Sequence, residues 1–144
     1  MKRREVLTLL APALLLGACK ESEKFTLPTI VTGKVTYEDG SPVEGAELRF
    51  SGLKRHSLTN ISLVFEETVY TDASGKYSAS HVIPKERDFV EIKMSEGSFD
   101  EPTPAYGYDV YLLVDGVYRR GLTYMIPYGN YGKTTTVDYE LRKK

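Results

Sequence analysis

From residue 29 onward, apolar and polar residues alternate along the chain with a period of two. In residues 31–37, valine, glycine and tyrosine occupy every second position and alternate with threonine and lysine. This alternation is typical of a β-strand with one buried face, because successive side chains point to opposite sides of a sheet. Comparable strands are predicted in segments 46–51, 61–70, 76–82, 90–94, 108–114, 117–124 and 137–141. The pattern predicts an all-β protein, an antiparallel Greek-key β-sandwich of about seven strands, with no convincing helix.

Aspartate and glycine separate these segments and mark the turns. The clearest turn signals are Asp39-Gly40, Asp72-Ala73-Ser74-Gly75 and Asp115-Gly116. If Asp115-Gly116 is a two-residue hairpin loop, Tyr111 lies opposite Arg120 on the next strand, where the two side chains are able to stack. Longer loops are predicted in segments 53–60, 95–106 and 125–132.

The first eighteen residues have the features of an export signal. Basic residues at 2–4 precede an apolar run at 6–16, which is too short for a membrane-spanning helix of about 20 residues. The sequence Leu16-Gly17-Ala18-Cys19 resembles the lipobox of bacterial lipoproteins. In that class the cysteine carries a diacylglyceryl group, and the signal peptide is removed before it. The alternative is an ordinary secretory signal followed by an unrelated cysteine.

The lipobox resemblance implies three parts of the chain. These are a signal peptide at 1–18, the lipidated Cys19 with a polar tether up to residue 28, and a domain at 29–144. An extended nine-residue tether would reach about 30 Å. The run Arg3-Arg4-Glu5-Val6-Leu7 also fits the twin-arginine pattern, so both general and twin-arginine export remain open. We therefore expect a lipid-anchored protein of the bacterial cell envelope, on the outer membrane.

The amino-acid composition excludes several functional classes. The 144 residues include 20 acidic and 19 basic side chains with a net charge of −1, which gives no long-range attraction to nucleic acid. A single cysteine rules out an internal disulfide and a cysteine-based zinc site. His56 and His81 show no ligand spacing, and Gly129–Thr134 lacks the first glycine of a phosphate-binding loop because position 127 is proline. No catalytic residue, metal or cofactor is predicted.

Two stretches, Gly33–Leu48 and Thr71–Tyr77, resemble the carboxypeptidase regulatory-like domain, a transthyretin-like β-sandwich. The resemblance implies the sandwich fold and an accessory rather than a catalytic role. Its turn residues in this chain are Gly33, Gly40, Pro42, Gly45, Asp72 and Gly75. The similarity is weakest over residues 99–132.

Tyrosine is concentrated in that same region, where seven of the eleven tyrosines lie between residues 106 and 131. A tyrosine ring offers a flat apolar face and a polar tip, which suits recognition of glycans or proteins. Tyr128 and Tyr131 lie in a glycine-rich loop and are predicted to be exposed. Together with Tyr111 and Arg120 they form the candidate ligand-binding set. The alternative is that these tyrosines fill half-buried strand faces.

These observations favour a non-enzymatic binding or accessory module for a glycan or an envelope protein, attached to a membrane through its lipid. A purely structural spacer or stalk subunit is the alternative. A hydrolase whose site assembles only in the folded chain is a third hypothesis.

Overall fold

The computed structural model describes residues 21–144, so the predictions for the signal peptide and for Cys19 lie outside the described residues. Within residues 21–144 the chain forms strands, a short helical stretch at 21–23 and a 3₁₀ helix at Tyr128–Asn130. The strands are β1 (Pro28–Tyr37), β2 (Glu47–Arg55), β3 (Ile61–Tyr70), β4 (Lys76–Val82), β5 (Phe89–Met94), β6 (Tyr108–Val114), β7 (Val117–Arg120), β8 (Thr123–Met125), β9 (Thr134–Thr136) and β10 (Asp138–Lys143). The predicted all-β sandwich is confirmed.

Two sheets pack against each other. One sheet has the order β4-β1-β10-β6-β7, with β9 also paired to β1, and the other has the order β3-β2-β5-β8. The pairing is antiparallel except that β1 runs parallel to both β9 and β10. The prediction was a purely antiparallel fold. The difference arises because β8 belongs to the second sheet, and the chain then returns to the first sheet to form β9 and β10. The final strands therefore run in the same direction as the first.

The core lies between the two sheets and is formed by alternate side chains of nearly every strand. The largest fully buried side chains are Tyr139, Phe50, Leu48, Ile83, Ile92, Met94, Leu141, Val31, Val35, Val43, Val90 and Val137. The Tyr139 hydroxyl donates to the carbonyls of Ile92 and Leu122, which lie 3.3 and 3.2 Å away. Because both sheets and this core are complete within residues 21–144, that part of the chain folds as a unit.

The turn residues have the conformations that their sequence pattern requires. Gly40, Gly45 and Gly75 have φ values of 84°, 74° and 77°, in the left-handed region where glycine is favoured. One carboxylate oxygen of Asp72 accepts hydrogen bonds from the Ser74 hydroxyl and from the backbone N–H groups of Lys76 and Ser74. These bonds lower the pKa of Asp72, so the carboxylate stays ionised and holds the turn between β3 and β4.

Gly33 is required for a different reason, since the chain passes very close to it. A Cβ at residue 33 would lie 1.8 Å from the carbonyl oxygen of Val137, the residue between β9 and β10. That carbonyl accepts a hydrogen bond of 2.6 Å from the Tyr77 hydroxyl. On the adjoining residue, the Asp138 carboxylate accepts the backbone N–H of Lys34 at 2.9 Å. Gly33 thus lets the interrupted last strand lie against β1.

Two strand boundaries differ from prediction. β2 continues to Arg55, into a segment predicted to be a polar loop. The predicted strand at 117–124 is divided into β7 and β8, which belong to different sheets. The register of the β6–β7 hairpin is as expected, with Tyr111 opposite Arg120 and Leu113 opposite Tyr118.

The loops gather at the two ends of the sandwich. We call the end where β1 begins the proximal pole, and it includes loops 56–60, 83–88 and 126–133. The opposite end is the distal pole, and it includes loops 38–46, 71–75 and 95–107. Each pole carries its own cluster of aromatic and charged side chains.

Candidate functional site

The two tyrosines predicted to be exposed lie at the proximal pole but differ in accessibility. Tyr128 is 46% exposed, whereas Tyr131 is only 4% exposed, so the expected exposure of Tyr131 is wrong. The two rings meet edge to face with centroids 5.3 Å apart. Tyr131 is buried because its ring lies beneath Tyr128 and against the guanidinium of Arg87, at 5.0 Å. Tyr131 therefore helps build the pole and cannot act as a free platform.

Tyr128 is already engaged by the N-terminal segment. Its hydroxyl donates to the Glu21 carboxylate at 2.7 Å, and the Lys24 ammonium lies 4.3 Å from its ring centroid. The hydrogen bond raises the pKa of Tyr128 and lowers that of Glu21. Residues 21–27 form a helical turn closed by the Leu27 N–H donating to the Glu23 carbonyl at 2.9 Å. This part of the chain, which lies within the predicted polar tether, folds onto the sandwich.

Arg87 is at the centre of this proximal cluster. Its guanidinium carbon lies 4.7 Å from the Phe25 ring centroid and 5.5 Å from that of Tyr128. Its Nη1 donates to the Lys85 carbonyl at 2.9 Å, while its Nε is buried without a hydrogen-bond partner among the described residues. Three aromatic rings, of Phe25, Tyr128 and Tyr131, surround this charge and stabilise it through cation–π contacts. Arg87 ties the N-terminal segment, through Phe25, to the 83–88 loop.

Tyr111 and Arg120 do not form the expected stacked pair. Arg120 pairs with Asp109 at 2.6 Å. The cation above Tyr111 is Arg142, whose guanidinium carbon lies 4.0 Å from that ring centroid and 5.2 Å from that of Tyr118. Arg142 takes this place because β10 lies on the other side of β6 from β7. The sequence pattern around the hairpin contains no information about that neighbour.

A pocket at the distal pole was not predicted. Its volume is about 540 Å³, and it lies where β1 and β10 end beside the start of β6. The Tyr37 and Tyr108 rings form one wall, with centroids 5.5 Å apart and an interplanar angle of 50°. The other lining residues are Glu38, Asp39, Ser41, Leu141 and Lys143.

Charged groups surround the aromatic wall of this distal pocket. Asp39 accepts hydrogen bonds from both the backbone N–H and the hydroxyl of Ser41, at 2.9 and 2.6 Å. These bonds lower its pKa, so it is a carboxylate at neutral pH. The pocket therefore combines aromatic faces, a fixed carboxylate and the Lys143 ammonium. A sequence signal existed in Tyr37 beside the Asp39 turn, but Tyr108 joins it only through the pairing of β10 with both β1 and β6.

Neither histidine forms part of a catalytic or metal arrangement within residues 21–144. His56 Nε2 lies 2.8 Å from the Ser62 hydroxyl on the exposed β2–β3 hairpin. His81 stacks on the Phe65 ring at 4.0 Å. No three His, Asp or Glu residues among the described positions come together to hold a metal ion. In the same part of the chain, none of the helices is both long enough and apolar enough to cross a membrane.

No family model matches the chain, and no curated protein matches it in sequence. Solved structures with a similar arrangement include 3-chlorocatechol 1,2-dioxygenase from Rhodococcus opacus 1CP, at 14% identity and a TM-score of 0.44. That match covers 81% of this chain and 60% of the dioxygenase. A streptococcal ancillary pilin matches at 16% identity and a TM-score of 0.45, over 82% of this chain and 33% of the pilin.

The dioxygenase domain of a dioxygenase–carbohydrate-binding protein fusion from Streptomyces sp. SirexAA-E matches at 16% identity with a TM-score of 0.45. It covers 82% of this chain and 81% of that domain. At these identities and scores, the similarities carry no information about activity, ligand or partner. The resemblance to the carboxypeptidase regulatory-like domain stays a prediction.

Proposed function

We propose that this protein is a lipid-anchored, non-enzymatic binding module of the bacterial cell envelope, and that its distal pocket binds a glycan. The observation that carries the proposal is the pocket itself, in which the paired Tyr37 and Tyr108 rings stand beside the Asp39 carboxylate. The accessory role implied by the family resemblance agrees with this reading.

The lining chemistry suits a sugar ring. Aromatic side chains bury apolar C–H faces, while a few placed polar groups set orientation and specificity. Asp39 is suited to accept hydrogen bonds from sugar hydroxyls, and Lys143 is suited to donate to sugar oxygens or to pair with an acidic sugar. The Ser41 contacts hold the Asp39 side chain in place before a ligand arrives, which lowers the entropic cost of binding.

Replacing Tyr108 with alanine tests the distal pocket. Loss of one aromatic wall is expected to weaken glycan binding about tenfold, which corresponds to roughly 1.4 kcal/mol. Tyr106→Ala is the matched control, since Tyr106 is 43% exposed on the loop just before β6 but does not line the pocket. Binding is measured on an array of bacterial envelope polysaccharides and then by calorimetry with the best ligand. Absence of any glycan ligand, or equal effects of the two substitutions, would overturn the glycan proposal.

Replacing Cys19 with serine tests the anchor. The full-length protein is expressed in bacteria with labelled palmitate, and the variant is expected to lose all label and to move from the membrane to the soluble fraction. The thiol is the only acceptor of the diacylglyceryl group, and two or more acyl chains are needed for stable attachment. Circular dichroism confirms that the variant keeps its β-structure. A Cys19→Ser protein that still carries label shows that the lipobox assignment is wrong.

A structural spacer is the second candidate, and the proximal cluster is the observation that favours it. Tyr128, Tyr131 and Arg87 hold the N-terminal segment against the sandwich, which is a scaffolding role. The two candidates make different predictions for Tyr108→Ala, because a spacer loses nothing when a distal pocket wall is removed. Neither histidine contacts a carboxylate within residues 21–144, so nothing there favours the hydrolase hypothesis.

A further inference from the structure

The β2–β3 hairpin extends past its neighbour at the proximal pole. β5 pairs with β2 only as far as Leu53 opposite Phe89, whereas β3 continues to pair up to Arg55 opposite Ile61. Residues 54–62 therefore project from the sandwich, and we call them the hairpin tip. Its apolar side chains face solvent: Leu58 is 92% exposed and Ile61 is 46% exposed, and the adjoining Leu63 is 54% exposed.

The hairpin tip is basic as well as apolar. Lys54, Arg55 and His56 follow one another, and no Asp or Glu lies between Gly52 and Phe65. The acid that approaches from the neighbouring loop is Asp88, whose carboxylate accepts the Arg55 backbone N–H at 2.6 Å. Exposed leucines beside cationic side chains are the composition of segments that enter the interface of an anionic bilayer.

At the distal pole, by contrast, the most exposed apolar side chain is surrounded by acidic residues. Phe99 is 83% exposed and, with Leu58, is one of the two most exposed large apolar side chains among the described residues. It lies beside Asp100 and Glu101, with Glu96 three residues before it. The charge surrounding an exposed apolar side chain thus changes sign from one pole to the other, although the whole chain is nearly neutral.

The N-terminal segment places the anchor at the same pole. Glu21 and Lys24 contact Tyr128, so residue 21, the first that the structure describes, lies at the proximal surface. Cys19 precedes Glu21 by two residues, and covalent geometry allows at most about 7 Å between their Cα atoms. A membrane that holds Cys19 then lies against the proximal pole. The hairpin tip is part of that pole through Asp88, which adjoins Arg87 in the proximal cluster.

From this geometry we propose that the hairpin tip binds an anionic phospholipid bilayer, with Leu58 inserted into the interface and Lys54 and Arg55 at the headgroups. The position of the anchor rests on the proposed lipidation of Cys19, but the lipid-binding surface does not require it. The attraction of two basic side chains to an anionic surface and the burial of one leucine together contribute only a modest binding free energy. Such binding is weak alone and becomes effective once the anchor raises the local concentration.

Residues 21–144 test this surface without the anchor, since they fold as a unit and contain no cysteine. The protein carries Leu58→Cys with an environment-sensitive fluorophore, and Phe99→Cys is the matched control at the distal pole. On vesicles of phosphatidylethanolamine and phosphatidylglycerol, the probe at position 58 is expected to shift to shorter wavelength and to be quenched by brominated lipids. The probe at position 99 is expected to do neither.

Vesicle flotation of unlabelled variants measures how much each side chain contributes to membrane partitioning. Leu58→Asp is expected to lower partitioning into phosphatidylglycerol vesicles tenfold or more, Lys54→Glu about fivefold or more, and Phe99→Asp not at all. Pure phosphatidylcholine vesicles are expected to bind much less of the parent protein. A probe at position 58 that stays in water on anionic vesicles overturns the proposal, as does equal flotation of Leu58→Asp and Phe99→Asp. Neither result depends on palmitate labelling of Cys19, so failure of this surface and failure of the anchor are distinguishable.

Discussion

Replacing Gly33 with alanine is expected to lower the free energy of unfolding by about 3 kcal/mol or more, the upper end of overpacking costs. The new Cβ would lie 1.8 Å from the Val137 carbonyl oxygen and 3.0 Å from the Tyr77 ring. Neither neighbour moves cheaply, because the Val137 carbonyl accepts the Tyr77 hydroxyl and the Val137 N–H donates to Thr32. The substitution therefore forces β9 and β10 away from β1. Thermal unfolding followed by circular dichroism is expected to show a midpoint lower by roughly 10 °C.

Gly129→Ala is the matched control for this prediction. A Cβ at residue 129 meets no atom within 4 Å, and this glycine does not have a positive φ. Its substitution is expected to leave the unfolding midpoint nearly unchanged. If the two variants unfold at similar temperatures, the close approach of residue 137 to β1 is not a constraint on the fold.

Replacing Thr71 with valine is expected to cost about 2–4 kcal/mol of stability, although the two side chains have nearly the same shape. The Thr71 hydroxyl accepts the Ala46 N–H at 2.9 Å and donates to the Val43 carbonyl. Thr71 is 4% exposed, so valine would leave a buried donor and a buried acceptor unpaired. The expected result is a lower denaturant midpoint with an unchanged slope, measured by urea unfolding.

Thr71→Ser distinguishes the contribution of the Thr71 hydroxyl to stability from that of its methyl group. Serine keeps both hydrogen bonds and removes one methyl group, so the expected cost is about 1 kcal/mol or less. A valine variant that is as stable as the serine variant would show that the hydroxyl does not hold the 38–46 loop to the end of β3.

The features that follow from local sequence were predicted well. Alternation of apolar residues located the strands, and the aspartate–glycine pairs located the turns, because both depend on residues that are neighbours in the chain. The β6–β7 register followed from the Asp115-Gly116 loop for the same reason, since a two-residue loop determines which residues lie opposite each other.

Features that depend on neighbours distant in sequence were not predicted. Tyr131 was expected to be exposed because it lies in a glycine-rich loop. In the structure, Arg87 from the 83–88 loop packs on its ring. Arg120 was expected to stack on Tyr111, but the guanidinium that lies over that ring belongs to Arg142 on β10. The distal pocket was missed because Tyr37 and Tyr108 come together only when β10 lies between β1 and β6. In each case the decisive contact joins residues that no local pattern connects.

The parallel pairing of β1 with the final strands also has a consequence for the order of events during synthesis. Lys34 and Asp138, which share a hydrogen bond, are 104 positions apart. Contacts of such long separation form slowly, because the intervening chain has to be closed into a loop first. While the chain emerges from a ribosome, β1 has only β4 to pair with until β9 and β10 are made, and one side of it stays open. The sandwich is therefore completed only after residues 134–143 have been made and can pair with β1.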